Sequence, residues 1–158
     1  MYRHILLAYD GTREGRMALR EGARLAQITG AQVTLMAVVD PTIGLGLSVD
    51  PVGVYIPPDQ TATYQKILDE GTERLTRMKL SHHARLERGQ PAERITAVAK
   101  EISADLVVVG HHRQGILAGW LLGSVTSDLT NSLTCSLLVA RMEISDEALF
   151  GGADTPAE

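Results

Sequence analysis

The sequence predicts a single-domain α/β fold: a five-stranded parallel sheet of order 3-2-1-4-5 with helices on both faces. Three observations lead there. Short apolar runs of strand length alternate with longer stretches in which apolar residues recur every third or fourth position. The run Leu106 to Val109 is apolar at every position, as strands buried on both faces of a parallel sheet are. The length of 158 residues suits one domain with a sizeable core. The resulting order, β-α-β-α-β-α-β-α-β, demands right-handed crossovers.

The first strand is His4 to Tyr9, ended by Asp10-Gly11-Thr12, which has turn and helix-cap chemistry. Glu14 falls in the first turn of the helix that follows. There Ala18, Leu19, Gly22, Ala23, Leu25 and Ala26 form a small-residue stripe suited to lying close on a sheet, and Gly30 ends the helix. Val33 to Val39 is the second strand. The next stretch, PTIGLGLSVDPVGVYIPP, holds four prolines and three glycines and is a loop. A helix resumes near Asp59, with Tyr64, Ile67, Leu68, Gly71, Leu75 and Met78 on one face, and ends near Leu80. Between Ser81 and Gly89, the alternation of Ala84 to Arg88 predicts a half-buried strand. Pro91 opens a third helix whose buried face is Ile95, Val98, Ala99 and Ile102. After the strand Leu106 to Val109, Gly123-Ser124 opens a last helix with Val125, Leu129 and Leu133 on one face and Ser124 placed to cap it. Leu137 to Ala140 is the final strand.

Charge and composition exclude several functions. The formal net charge of −4 is concentrated at the end of the chain, where Glu143, Asp146, Glu147, Asp154 and Glu158 follow Met142 without a basic residue. Setting those five aside from the 19 acidic residues leaves 14 against 15 basic ones, a nearly neutral body. Nucleic-acid faces and basic membrane helices need clustered Lys and Arg, and neither is indicated. No apolar run approaches the roughly 20 residues of a membrane span, and that of MYRHILLAYDG is too short for a signal peptide. Cys135 is the single cysteine, so an internal disulfide and a zinc-binding thiol cluster are excluded. A soluble cytoplasmic protein is expected. Residues 1–141 form its domain, and residues 142–158 an acidic, flexible tail.

In this architecture ligands bind beyond the carboxyl ends of the strands, where the winding reverses. The order 3-2-1-4-5 makes strands one and four neighbours there and sets Asp10 beside Gly110. The amino end of the helix at Ser124 comes near the same crevice, with N–H groups and a dipole that welcome an anion. The connection from Gly110 to Gly123 is about a dozen residues, longer than such units need, and loops of that kind tend to be functional.

The chain resembles the universal stress proteins. The likeness covers Met1 to about Arg141 and rests on ILLAYDGT, on Gly110 after a buried strand, on Gly123-Ser124-Val125-Thr126 and on the closing TCSLLVAR. The family's nucleotide signature, G-x2-G-x9-G-[ST], stands here at three of its four positions, Gly110, Gly123 and Ser124. Arg113 holds the second glycine's place, where it either obstructs the approach of backbone to a phosphate or contacts the phosphate itself. The resemblance implies ATP or AMP as ligand, with Asp10 by the ribose or by a metal such as Mg2+ on the phosphates. Val38 would border the adenine and Ala8 belong to the same set. Val109, Gly110, Gly123, Ser124 and Val125 would hold phosphates and ribose. It also implies a homodimer joined through the last strand, whose apolar edge needs covering.

Plainer readings stand beside these. Asp10 can serve as a helix cap, Val38 is core in either case, and Gly110 or Gly123 alone can be a turn glycine. The pairs His82-His83 and His111-His112 lack partners at a zinc spacing, so no metal site is expected. Gly44-Leu45-Gly46 lacks the third glycine of a dinucleotide fingerprint, Val49 standing there. No P-loop or G-x-S-x-G elbow is present, Ser124 has no evident base, and no catalytic residue is assigned. The expectation is a nucleotide-binding regulatory protein, not an enzyme, whose loop 111–122 orders on binding and alters a surface that another protein reads. Its rivals are an interaction dimer with a degenerate site at Arg113 and a slow ATP hydrolase with metal on Asp10.

Overall fold

The computed structural model describes residues 1–41, 60–111 and 124–140, with Ser124 described by its backbone alone. The elements are β1 (His4–Ala8), α1 (Arg13–Thr29), β2 (Gln32–Val39), α2 (Thr61–Arg77), β3 (His82–Arg88), α3 (Pro91–Glu101), β4 (Leu106–Gly110), α4 (Ser124–Ser132) and β5 (Ser136–Ala140). The five strands form one sheet of order β3-β2-β1-β4-β5, and every adjacent pair is parallel. This is the predicted architecture.

Two apolar layers sandwich the sheet. Ile5, Leu7, Tyr9, Val33, Leu35 and Val108 face α1 and α2, where they meet Ala18, Leu19, Ala23, Leu68 and Leu75. Leu6, Ala8, Met36, Val38, Val107 and Val109 face α3 and α4, where they meet Ile95, Val98, Ala99 and Leu129. Successive residues of a strand point to opposite faces, so β1, β2 and β4 feed both layers and are apolar at nearly every buried position, Thr34 excepted. The small-residue stripe of α1 has a concrete cause: a β carbon on Gly22 would collide with Leu7 and lie 3.2 Å from Val108, so the helix rides directly over β1 and β4.

β3 is the strand expected over Ala84 to Arg88, with Leu86 partly buried against the layer of α1 and α2. It begins two residues earlier than the run Ala84 to Arg88, and its side chains are exposed or only partly buried. It is an edge strand whose charges are paired locally. Arg85 binds Glu87 at 2.8 Å and Glu101 at 2.8 Å, and Arg94 binds the other oxygen of Glu87 at 2.5 Å. Charge of this kind blocks further strand pairing. At the opposite edge β5, SLLVA, carries none, and Leu137, Leu138 and Val139 are partly buried against the two layers. The acidic tail expected over 142–158 lies outside the described residues.

The start of the sheet is pinned by one carboxylate. Asp105, just before β4, accepts from the backbone N–H of Arg3 (2.8 Å) and of His4 (3.1 Å), while its own N–H donates to His4 O. Burial raises the Asp105 pKa, but these N–H donors outweigh it and hold the carboxyl below its ordinary range.

Candidate functional site

The carboxyl ends of β1 and β4 lie side by side, with Leu7 in register with Val108. Directly after β1 the chain turns into α1, and the turn is built by Asp10. Its Oδ1 accepts the Thr12 N–H (3.0 Å) and the Thr12 hydroxyl (2.6 Å). The oriented Thr12 is the N-cap of α1, its Oγ1 accepting from Gly15 N at 3.0 Å. Gly11 makes the turn possible with φ +75°, a conformation that costs glycine little. Asp10 therefore does act in capping, by way of Thr12, and the acceptor of the helix N–H is the threonine.

The same turn explains Gly110. A β carbon there would lie 2.6 Å from Glu14 C, 2.7 Å from Glu14 O and 2.8 Å from Gly15 N. The first turn of α1 thus presses its backbone on the end of β4, and only a glycine admits it. Gly15 is required in turn, because a β carbon on it would collide with the Asp10 carboxylate. Thr12 caps the amino end of α1 by its bond to Gly15 N, and α4 begins at Ser124.

Ala8, Val38 and Val109 share the α3/α4 side of the sheet with Leu129, and the partly buried Val125 packs against that layer. Ala8 is 4% exposed, Val38 0% and Val109 1%, so all three belong to the packed core of this layer. Asp40, buried at 7% exposure just beyond β2, adds a second carboxylate at this end of the sheet. A groove of about 340 Å³ opens beside Asp10, Gly11 and Thr12, walled by Arg16 of α1 and by Thr63, Lys66, Ile67 and Glu70 of α2. A larger cavity, about 470 Å³, lies at the opposite end of the sheet, between Gln27 and Gly30 at the end of α1 and Lys79 to His83 after α2. Helices end there with their carbonyls outward, which disfavours an anion. His82 and His83 border it, and the described residues contain no group of three or more His, Cys, Asp or Glu that could hold a metal.

Below the turn, Tyr9 is fully buried and its hydroxyl donates to Glu70 Oε2 at 2.5 Å. Glu70 Oε1 takes Arg74 at 2.8 Å and Arg16 at 3.1 Å. Burial, and then the bond to Glu70, push the Tyr9 pKa up to about 12. Burial alone would raise the Glu70 carboxyl, but the Tyr9 and Arg74 hydrogen bonds and the charges of Arg74 and Arg16 bring it below its ordinary value.

A family model described as the universal stress protein family matches residues 1–141. The chain belongs to the universal stress protein family. A universal stress protein of Mycolicibacterium smegmatis is 48% identical over 59 residues, a stretch covering 37% of this chain and 19% of that protein. A relative in Staphylococcus haemolyticus is 25% identical over 157 residues, covering 98% of this chain and 94% of its own. Among solved structures, a family member from Burkholderia pseudomallei superposes with TM-score 0.67 at 28% identity, over 87% of this chain and 95% of that one. A universal stress protein in complex with cAMP gives TM-score 0.67 at 21% identity (90% and 99% covered). One from Archaeoglobus fulgidus in complex with dAMP gives 0.64 at 19% (89% and 98% covered). At such identities these last two likenesses speak for the fold.

In this universal stress protein the structure brings Asp10 and Gly110 together through α1, and stacks Ala8, Val38 and Val109 on one face. Arg113 and Gly123 lie outside the described residues, as does loop 111–122 beyond His111, and of Ser124 only the helical backbone is described. Sequence reading missed Gly15, Asp40 and the Tyr9–Glu70–Arg16 group. A glycine one turn inside a helix and a Glu70/Arg74 pair four residues apart were the available signals.

Proposed function

We propose that this universal stress protein is a regulatory protein that binds an adenine nucleotide, ATP or AMP, in the crevice between β1 and β4. The observation that carries this reading is the pairing of the Asp10 turn with the Gly110 end of β4, above the buried layer that holds Ala8, Val38 and Val109. Asp10 suits a ribose hydroxyl or a Mg2+ ion on the phosphates, and the amino end of α4 at Ser124 suits an anion. Gly123 and Val125 flank that end in the sequence, and Arg113 stands in the loop that precedes it. Two proteins of the same fold carry cAMP and dAMP, which supports an adenine nucleotide as the ligand class.

The protein acts by binding and not by catalysis, in the cytoplasm, as a homodimer paired through β5, with nucleotide altering a surface read by a protein partner. The contrast between a charged β3 edge and an uncharged β5 edge supports that choice of dimer edge. No described helix is long and apolar enough to cross a membrane. Truncation after Glu143, within the acidic segment 142–158, is expected to leave the melting temperature nearly unchanged. Calorimetry with ATP and AMP in the presence of magnesium tests the central reading. Measurable binding supports it, and no binding at millimolar nucleotide, either by the natural protein or by Arg113→Gly, ends it. The second reading, an interaction dimer with a degenerate site, then takes its place, favoured by the arginine at a glycine position of the signature.

A further inference from the structure

Both ends of the turn that carries Asp10 are tied to a single carboxylate. Tyr9, immediately before Asp10, donates its hydroxyl to Glu70 Oε2 at 2.5 Å, and Arg16, in the first turn of α1, places Nη2 3.1 Å from Glu70 Oε1. Between these anchors the turn is internally braced. Asp10 Oδ1 holds Thr12, Thr12 O accepts the Arg16 N–H at 2.9 Å, and Gly15 abuts the Asp10 carboxylate. The ring of Tyr9 lies close against α2 at Gly71, where a β carbon would stand 2.8 Å from it. A β carbon on Gly11 would meet Ile67, so α2 touches the turn at its centre as well as at its ends.

From this geometry we propose that Tyr9 and Glu70 are positioning residues for Asp10, with α2 acting through Glu70 to set where the Asp10 carboxylate points. The two anchors are unequal. Arg16 and Glu70 have side chains 48% and 31% exposed, and an exposed ion pair contributes little by itself. The Tyr9 hydroxyl is buried and bonded to a charged acceptor, which makes it the stronger tie. α2 thus reaches the turn by a hydrogen bond through Glu70 and by packing through Ile67 on Gly11, and of these the hydrogen bond is the directional one.

The proposal rests on the nucleotide reading for its consequence and on the turn alone for its geometry, and the test separates the two. Tyr9→Phe removes only the hydroxyl, Glu70→Ala removes the acceptor, and Glu70→Gln keeps an acceptor for the hydroxyl. Amide hydrogen exchange of the full chain by NMR reads the Thr12 N–H held by Asp10, with amides of β4 and α3 as reference. Tyr9→Phe and Glu70→Ala are expected to lower Thr12 protection about tenfold relative to the reference amides, with Glu70→Gln restoring much of it. ATP affinity in calorimetry is expected to fall in the same order. Unchanged Thr12 protection, or a loss of protection uniform across the protein, overturns the positioning role. Should the natural protein bind no nucleotide, the nucleotide reading fails, and the exchange measurement still decides whether Glu70 sets the turn. If nucleotide binds and affinity is the same in all variants, the turn does not serve the ligand and the proposal is wrong.

Discussion

A β carbon on Gly110 would stand 2.8 Å from the backbone nitrogen of Gly15. The end of β4 and the first turn of α1 are therefore in backbone contact, and the glycine serves helix packing whether or not a phosphate ever arrives. Gly110→Ala is expected to destabilise the protein by about 1–3 kcal/mol, as overpacking a close contact does, in a denaturant titration. A stability equal to that of the natural protein would show that α1 can retreat freely. Loss of ligand binding in this variant says little about direct contact.

The clean probes of the ligand are Arg113 and Ser124. On the proposed nucleotide reading, Arg113→Gly is expected to tighten ATP binding in calorimetry, because it restores the glycine of the signature where backbone would approach a phosphate. A fall instead, larger for ATP than for AMP, would assign the guanidinium to the outer phosphates. Ser124→Ala is expected to weaken binding by about 1 kcal/mol, the net worth of one hydrogen bond.

Val139, paired in register with Val109, sits in the exposed-edge strand proposed for dimerisation. Val139→Asp is expected to sediment as a monomer at micromolar concentration while circular dichroism still reports the fold. A natural protein that itself sediments as a monomer would remove the dimer from the account.

Tyr9 gives an alkaline signature. Its pKa is raised from 10.0 to about 12, so the folded state keeps a proton that the unfolded state gives up. Its contribution is complete below pH 10 and is lost as pH rises toward 12, on the order of 2–3 kcal/mol. Tyr9→Phe is expected to be less steeply destabilised than the natural protein over that range in melts followed against pH. Equal slopes would mean that the hydroxyl is not buried against Glu70.

Asp105 gives the acid counterpart. Its folded pKa lies below the ordinary 3.8, so the stability it contributes is present above that value and disappears as pH falls through the lowered one. Asp105→Asn is expected to melt lower than the natural protein near neutrality, with a shallower loss of melting temperature on the acid side. An acid limb as steep as before would place the effect on Glu70 and Glu87, whose pKa values are also lowered.

The sequence by itself determined the strand and helix order, both apolar layers and the neighbourhood of Asp10 and Gly110. Periodicity reports which faces are buried, and parallel sheets of this winding bring the ends of the first and fourth strands together. Even the limits of most elements were legible, since Gly30, Pro91 and Gly110 stop or start the chain by local chemistry. Only the tertiary structure decided why Gly110 is a glycine, because the Glu14–Gly15 peptide that excludes a side chain is nearly a hundred residues away in the chain. Only it joined Tyr9 to Glu70, 61 positions apart, and paired Arg85 and Glu87 of the third strand with Glu101 and Arg94 of α3. Pattern reading sees what a residue contributes along its own element, whereas close approach and shared hydrogen-bond partners exist only once two elements have packed.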